Sequence, residues 1–268
     1  MATTQTQAIK PRHPYASDLM DVEWDEIAPI VTVSADTGRP RTVDLREIMN
    51  ARMYLARSGC QWRMLPHDLP PWQHVAYYFY KWTEDGTIER LNTHLRCQIR
   101  IKAGREREPS AAIIDTQSVK TTESGGERGY DAGKQVKGRK RHLLVDTLGL
   151  VVFVLVHAAS VQDYDGAEGV FNAIDGSCSR LQVVFADHRY AGMLEEWVKR
   201  LFSFVLQIVA RPKQQRGFQV LPKRWIIERT FGWFNRYRRL SKDYERRTDS
   251  SESMVYLASI RRMLRLLN

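Results

Sequence analysis

At residue 111 the hydrophobic period of the chain changes, and few folds accommodate both halves. Upstream, in VDLREIMNARMYLARSG, the apolar residues Leu45, Ile48, Met49, Ala51, Met53 and Leu55 recur at helical spacing until Gly59 ends the run. SDLMDVEWDEI reads as an earlier helix beginning near Asp18 with Ser17 as its N-cap. Pro66, Pro70 and Pro71 bend the chain before a third, aromatic-rich helix at about 72–82, and a fourth follows at about 87–102. Downstream, AAIIDTQSV, RHLLVDTLG and LVVFVLVHAAS are rich in branched apolar residues and read as strands, with Asp146 to Gly149 as the hairpin turn between the last two.

The remainder alternates. A helix at about 164–175, a strand at 181–186, a helix at 190–200, a strand at 203–210 and a closing helix over about 222–240 are expected. Three strands, helix, strand, helix, strand, helix is the order of the ribonuclease H-like fold, an α/β mixed sheet flanked by helices. The expected organisation is a disordered N-terminus (1–14), a small helical domain (15–110) and the α/β domain (111–268). GGERGYDAGKQVKGRKR, residues 125–141, reads as a flexible basic loop between the first two strands.

Two acids interrupt apolar strands: Asp115 in IIDTQS and Asp187 at the end of VVFAD. A charge there is costly unless it is paired. In a ribonuclease H-like sheet the first and fourth strands are neighbours, which would put the two carboxylates side by side. The single acid of RWIIERTFGWFNRYRRL, Glu228, could lean over the same edge from the closing helix. Taken singly, each has an ordinary explanation, a bulge or a cap for the aspartates and an ion pair with Arg224 for Glu228. Together they form a hard oxygen set suited to Mg2+ or Mn2+, and two such ions could drive in-line attack on a phosphodiester.

Charge points the same way. Lys and Arg against Asp and Glu number 15 and 14 over residues 1–110, 11 and 12 over 111–210, and 15 and 5 over 211–268, so the net +10 lies in the last segment. A basic region interleaved with aromatics is the footprint of a nucleic-acid binder. Arg224, on the Glu228 face, is expected to contact a phosphate near the reacting bond. Lys134, Lys137, Arg139, Lys140 and Arg141 of the basic loop, with Arg229, Arg236, Arg238 and Arg239, are expected to grip backbone phosphates. Trp225 and Trp233 read either as sheet-packing residues or as base-stacking platforms. His142 and His157 read as hydrogen-bonded core residues, and Asp163 and Asp165 as helix caps. Cys60, Cys97 and Cys178 fit no metal pattern. With no apolar signal core and no spanning run, a cytoplasmic, nucleoid-associated protein without a membrane partner is expected.

IIDTQSVKTT, GYDAGKQVKGRKRHLLVDTLGLV, HAASVQDYDGA, ADHRYAG and RWIIERTFGWFNRYRRLSKDYE, in that order, closely resemble the transposases of the bacterial insertion sequence five family. The likeness runs from Tyr15 to about Leu267. It implies a DDE transposase with a ribonuclease H-like core that uses Mg2+ to cut the ends of its element and join them to target DNA. By the same resemblance Asp115, Asp187 and Glu228 are the catalytic and metal-binding acids. Its partners would be double-stranded DNA, both terminal inverted repeats and target, engaged by a homodimer or larger assembly. Arg189 stands where the family carries a small residue, and Leu221 and Asn235 where related elements carry Tyr and Lys. A nuclease without strand transfer, and an inactive, repurposed DNA-binding protein, are the alternatives.

Overall fold

The computed structural model describes residues 12–32, 43–123, 125–209 and 223–268. Most of the expected N-terminal tail, residue 210 of the last expected strand, residue 222 and Leu221 lie outside them. The helical segment comprises α1 (Asp21–Val31), α2 (Leu45–Ser58), α3 (Trp72–Glu84) and α4 (Thr87–Lys102). α1 starts later than Ser17 suggested: Met20 is its N-cap, and Glu23 reaches back to accept from the Met20 amide at 2.9 Å. Asp44 caps α2 through the amides of Arg46 and Glu47. Gly59 closes α2 at φ +71°, and a Cβ there would come within 2.9 Å of the Arg238 Cβ, so the position needs glycine twice over.

The sheet comprises β1 (Ala111–Lys120), β2 (Gly129–Asp131), β3 (Val136–Asp146), β4 (Val151–Ala158), β5 (Val183–Ala186) and β6 (Val205–Ile208). α5 (Asp163–Ile174) and α6 (Met193–Leu201) lie between its later strands, and α7 (Arg224–Phe234) and α8 (Thr248–Leu267) follow it. β3 is central. It pairs antiparallel with β1 on one side and with β2 and β4 in succession on the other. β1 pairs in parallel with β5, and β5 with β6. The α/β class and the adjacency of first and fourth expected strands therefore hold.

Strand alternation sorts the core into two layers. Ile113, Leu143 and Val145 face α7, α8 and the N-terminal helices, whereas Ala112, Ile114 and Leu144 face α5 and α6. The first layer is continuous from Leu19 to Leu264, so the N-terminal helices share a core with the sheet. Buried polar ties reinforce it. Asp146 accepts from the Leu148 and Leu150 amides of its own turn and from Arg100 of α4 at 2.6 Å. Arg261 of α8 donates to Glu23 of α1 at 2.6 Å.

Two segments differ from expectation. Residues 125–141 are not a free loop: they supply β2 and the first half of β3, whose KGRKR stretch pairs with β2, β1 and β4 despite its charge. The closing helix ends at Phe234, with a short 3-10 turn at Arg238–Leu240, and a further helix, α8, follows. α8 buries Met254, Val255, Leu257, Ile260, Met263 and Leu264 against α4 and β4.

The free edge of β4 is closed by side chains. The Val154 amide donates to the Tyr256 hydroxyl at 3.3 Å, Val156 to Glu252 Oε1 at 2.8 Å and Ala158 to Glu127 Oε1 at 3.0 Å. Burial, reinforced by Glu89 and Asp249, pushes the Glu252 carboxyl up to about 8, against an ordinary value of 4.5. The folded chain thus holds a proton that the unfolded chain releases, so this contribution to stability is complete below about pH 4.5 and is lost as pH rises towards 8. A glutamine side chain at this position would accept the same amide without ionising. Glu252→Gln is expected to raise stability at pH 8 by about 4 kcal/mol at most and to leave it nearly unchanged at pH 4.5. Urea titrations at the two pH values check this, and an equal effect at both contradicts it.

Arg52 is the second liability. Its guanidinium is fully buried with no hydrogen-bond partner among the described residues, lies over the Phe79 and Trp82 rings at 5.2 and 4.8 Å, and is pushed down to about 9 by burial. Arg52→Met keeps most of the volume and removes the unpaired charge. A gain of about 1–3 kcal/mol is expected in thermal unfolding, and a loss would show that the cation–π contacts outweigh desolvation.

Candidate active site

The register that pairs β1 with β5 sets Ile113 against Phe185. Two residues further along both strands, the same register brings Asp115 opposite Asp187. Asp115 shares the parity of Ile113 and so faces the α7 layer. Its Oδ1 accepts from the Thr116 amide at 2.7 Å. Asp187 ends β5 and caps the 3-10 turn His188–Tyr190, accepting from the Arg189 amide at 2.9 Å.

α7 lies against β1 through buried Ile226 and Ile227, and the Thr230 hydroxyl donates to the Gly149 carbonyl at 3.2 Å. This seat turns Arg224 and Glu228, one helical turn apart, towards the two aspartates. A single atom, Arg224 Nη2, lies 3.8 Å from Asp115 Oδ2, 3.9 Å from Asp187 Oδ2 and 3.7 Å from Glu228 Oε1. Asp115 and Asp187 are largely buried, whereas the Glu228 side chain is 58% exposed. Burial pushes the Asp115 carboxyl up to about 6, the Thr116 amide opposes this, and the charge of Asp187 adds to it. One arginine does not fully satisfy the group.

Among the described residues no three Asp, Glu, His or Cys side chains already form a metal cage. The three acids surround a guanidinium instead. They are nevertheless a hard oxygen set of the kind Mg2+ and Mn2+ take, drawn from three elements, with a carboxyl still held above its ordinary range. The residues fit such an ion once Arg224 turns aside.

The expected phosphate contacts divide into two groups. Arg139, Lys140, Arg141 and Arg239 are buried and have internal partners, which corrects their assignment to DNA. β3 is central, so its side chains enter one core layer or the other. Arg139 donates to the carbonyls of Glu127, Glu245 and Arg246 at 2.7–2.8 Å and pairs with buried Asp243 at 3.2 Å. Arg141 donates to the Leu240 and Lys242 carbonyls, Lys140 to the Val161 carbonyl and Asp163, and Arg239 to Glu245 and the Cys60 carbonyl. Lys134 is half-buried and donates to the Thr116 carbonyl and hydroxyl beside Asp115. Lys137, Arg229, Arg236 and Arg238 are exposed. Arg229 lies over the Trp225 and Trp233 rings at 4.4 and 4.6 Å, so these tryptophans hold arginine.

Other expectations change as well. Asp163 is not a cap: it pairs with Lys140 at 2.8 Å and lies 3.7 Å from Arg189 Nη1. His142 is buried with neither ring nitrogen bonded among the described residues, its ring 4.7 Å from that of His157. Tyr190, buried behind the aspartates, was not singled out from sequence. Burial, and then the charges of Asp115, Asp163 and Asp187, push its phenol well above its ordinary value. Its position shortly after a strand-ending acid was the available signal.

Residues 106–262, more than half of the chain, match the family described as "Transposase DDE domain", and residues 19–92 match "Putative transposase of IS4/5 family". The chain is 27% identical over 119 residues to "Putative transposase for insertion sequence element IS402" of Burkholderia cepacia, covering 42% of this chain and 56% of that one. It is 30% identical over 73 residues to protein y4sN of Sinorhizobium fredii, covering 27% of this chain and 58% of that one. The matches thus span little more than half the length of each relative. Asp115, Asp187, Glu228 and the helix that carries the last of them all fall inside the first matched segment, and the chain belongs to the transposase DDE domain family.

Proposed function

We propose that the chain is an insertion-sequence transposase that cuts DNA strands at the ends of its element and joins the resulting 3′-hydroxyls to target DNA. The observation that carries this is the gathering of Asp115, Asp187 and Glu228 within 4 Å of one guanidinium nitrogen at the end of a mixed sheet. Asp115 and Asp187 would hold Mg2+ or Mn2+ from adjacent strands, and Glu228 would complete the set from α7. Held by these carboxylates, a pair of such ions would supply activation of a water or a 3′-hydroxyl and charge stabilisation of the departing oxygen.

The protein's own groups supply the rest. Arg224 balances the acids before DNA arrives and then turns its fork to the phosphate beside the cut. Lys134 steadies the strand at Thr116, next to Asp115. Arg236, Arg238 and Lys137 meet backbone phosphates from the exposed surface. No helix of the described residues is long and apolar enough to cross a membrane. Binding two element ends calls for a dimer or larger assembly at the nucleoid.

A labelled duplex carrying the element's own terminal repeat tests the proposal. Wild type with Mg2+ or Mn2+ is expected to cut and join, and chelation to abolish both. Glu228→Gln is expected to lower both rates by on the order of 100-fold or more while retaining DNA binding. Free cut product with no joined product favours a nuclease. Binding without either reaction, in the wild type with both ions, removes the transposase reading.

A further inference from the structure

Beyond the acids, at the C-terminal end of α7, a cavity of about 470 Å³ opens between α2, α7 and α8. Its wall includes Arg57, Arg236, Arg262 and Arg265, with Trp233 and Tyr237. Arg261 also lines it but is tied to Glu23 at 2.6 Å. The other four arginines have no carboxylate in ion-pair reach among the described residues. Arg57, Arg262 and Arg265 each donate to one backbone carbonyl, Arg236, Gly149 and Ala16 respectively, at 2.8–3.2 Å. A guanidinium has five N–H donors, so most of theirs are left for something else. Burial and the neighbouring charge of Arg229 push Arg262 down to about 10, with the more distant carboxylate of Asp146 only partly opposing them.

The aromatic wall does not suit a base. The Arg262 Cζ lies 3.4 Å from the centre of the Trp233 ring and the Arg229 Cζ 4.6 Å from it. Guanidinium groups already cover the ring, which serves to fix them in place. The cavity is within the size range of small-ligand sites and cannot admit a duplex. Trp233 lies five residues beyond Glu228, about 7.5 Å along the helix and about 140° round it, so the cavity opens on a different face of α7 from the acids.

We propose that this cavity docks the 5′-terminal phosphate of a DNA strand. A terminal phosphate carries a charge of about −1.5 to −2 near neutral pH, against −1 for a backbone diester, and can enter a pocket that a continuous strand passes over. The inference rests on the transposase reading in one respect: a cut that leaves a 3′-hydroxyl leaves a 5′-phosphate on the other fragment, close to Glu228.

The test titrates the full chain by fluorescence anisotropy with a short single-stranded oligonucleotide bearing a 5′-phosphate and with its 5′-hydroxyl twin, using deoxyadenosine 5′-monophosphate as competitor. Wild type is expected to favour the phosphorylated strand about tenfold. Arg57→Gln with Arg265→Gln, both on exposed side chains, is expected to bring the two strands to within about twofold. Circular dichroism checks the fold, and each single variant is judged by the same ratio if the double one is misfolded. Equal binding of the two strands by wild type, or an unchanged preference in the folded variants, overturns the proposal. So does a free nucleotide that binds as tightly as the phosphorylated strand. Cleavage by wild type is scored separately. Preference without cleavage refutes the transposase reading and leaves the docking site standing, whereas cleavage without preference does the reverse.

Discussion

Arg139 and Arg141, two residues apart on the central strand, hold the segment that follows α7. Between them they donate to the backbone carbonyls of Leu240, Lys242, Glu245 and Arg246, and Arg139 meets the carboxylate of Asp243 where neither side chain is exposed. Asp243 also joins the main chain of β1 and the residues just past it, its amide donating to the Lys120 carbonyl and its carbonyl accepting from the Thr122 amide. The connection between α7 and α8 is thereby fixed to the sheet. α7 can then set Glu228 over the strand ends, and α8 can fill the layer beneath. Removing either arginine alone would leave several buried carbonyls without donors, a larger loss than that of one surface ion pair.

That clamp also explains what was hard to read. The acids were legible because a carboxylate inside an apolar strand has few uses, and because parallel neighbours bring two such positions together whatever the details of the loops. The basic residues were not. KGRKR has the composition of a phosphate-gripping loop, and composition cannot reveal that the strand carrying it is central and covered on both faces. Whether a cation reaches solvent is decided by tertiary packing, which in this chain turned Arg139, Lys140 and Arg141 inward and left Arg236 and Arg238 outside. α8 escaped for a related reason: its apolar residues are interleaved with Ser250, Ser251, Ser253 and Ser259, which are buried too. Ser251 and Ser259 are satisfied by Asp243 and Asn92, so a polar-looking helix is an interior one.

The acids and Arg224 form a neutralised cluster in which the cation is the movable part. Two of the carboxylates are held by main-chain amides, Asp115 in mid-strand on β1 and Asp187 just past the end of neighbouring β5, while Arg224 reaches all three at 3.7–3.9 Å, longer than close ion-pair contacts. The acids are thus held by the backbone, and the guanidinium only by long contacts. The exposure of Glu228 sets it apart from the aspartates, and it is the member with most room to move.

The occupied amides of β4 bear on assembly. A strand edge with free N–H groups invites another chain to extend the sheet, and Tyr256, Glu252 and Glu127 have taken those of Val154, Val156 and Ala158. Those three amides are therefore not available to a strand added along β4. Tyr256 and Glu252 of α8 thus do for the β4 edge what a further strand would do, and the sheet stops there by side-chain capping rather than by a change of backbone direction.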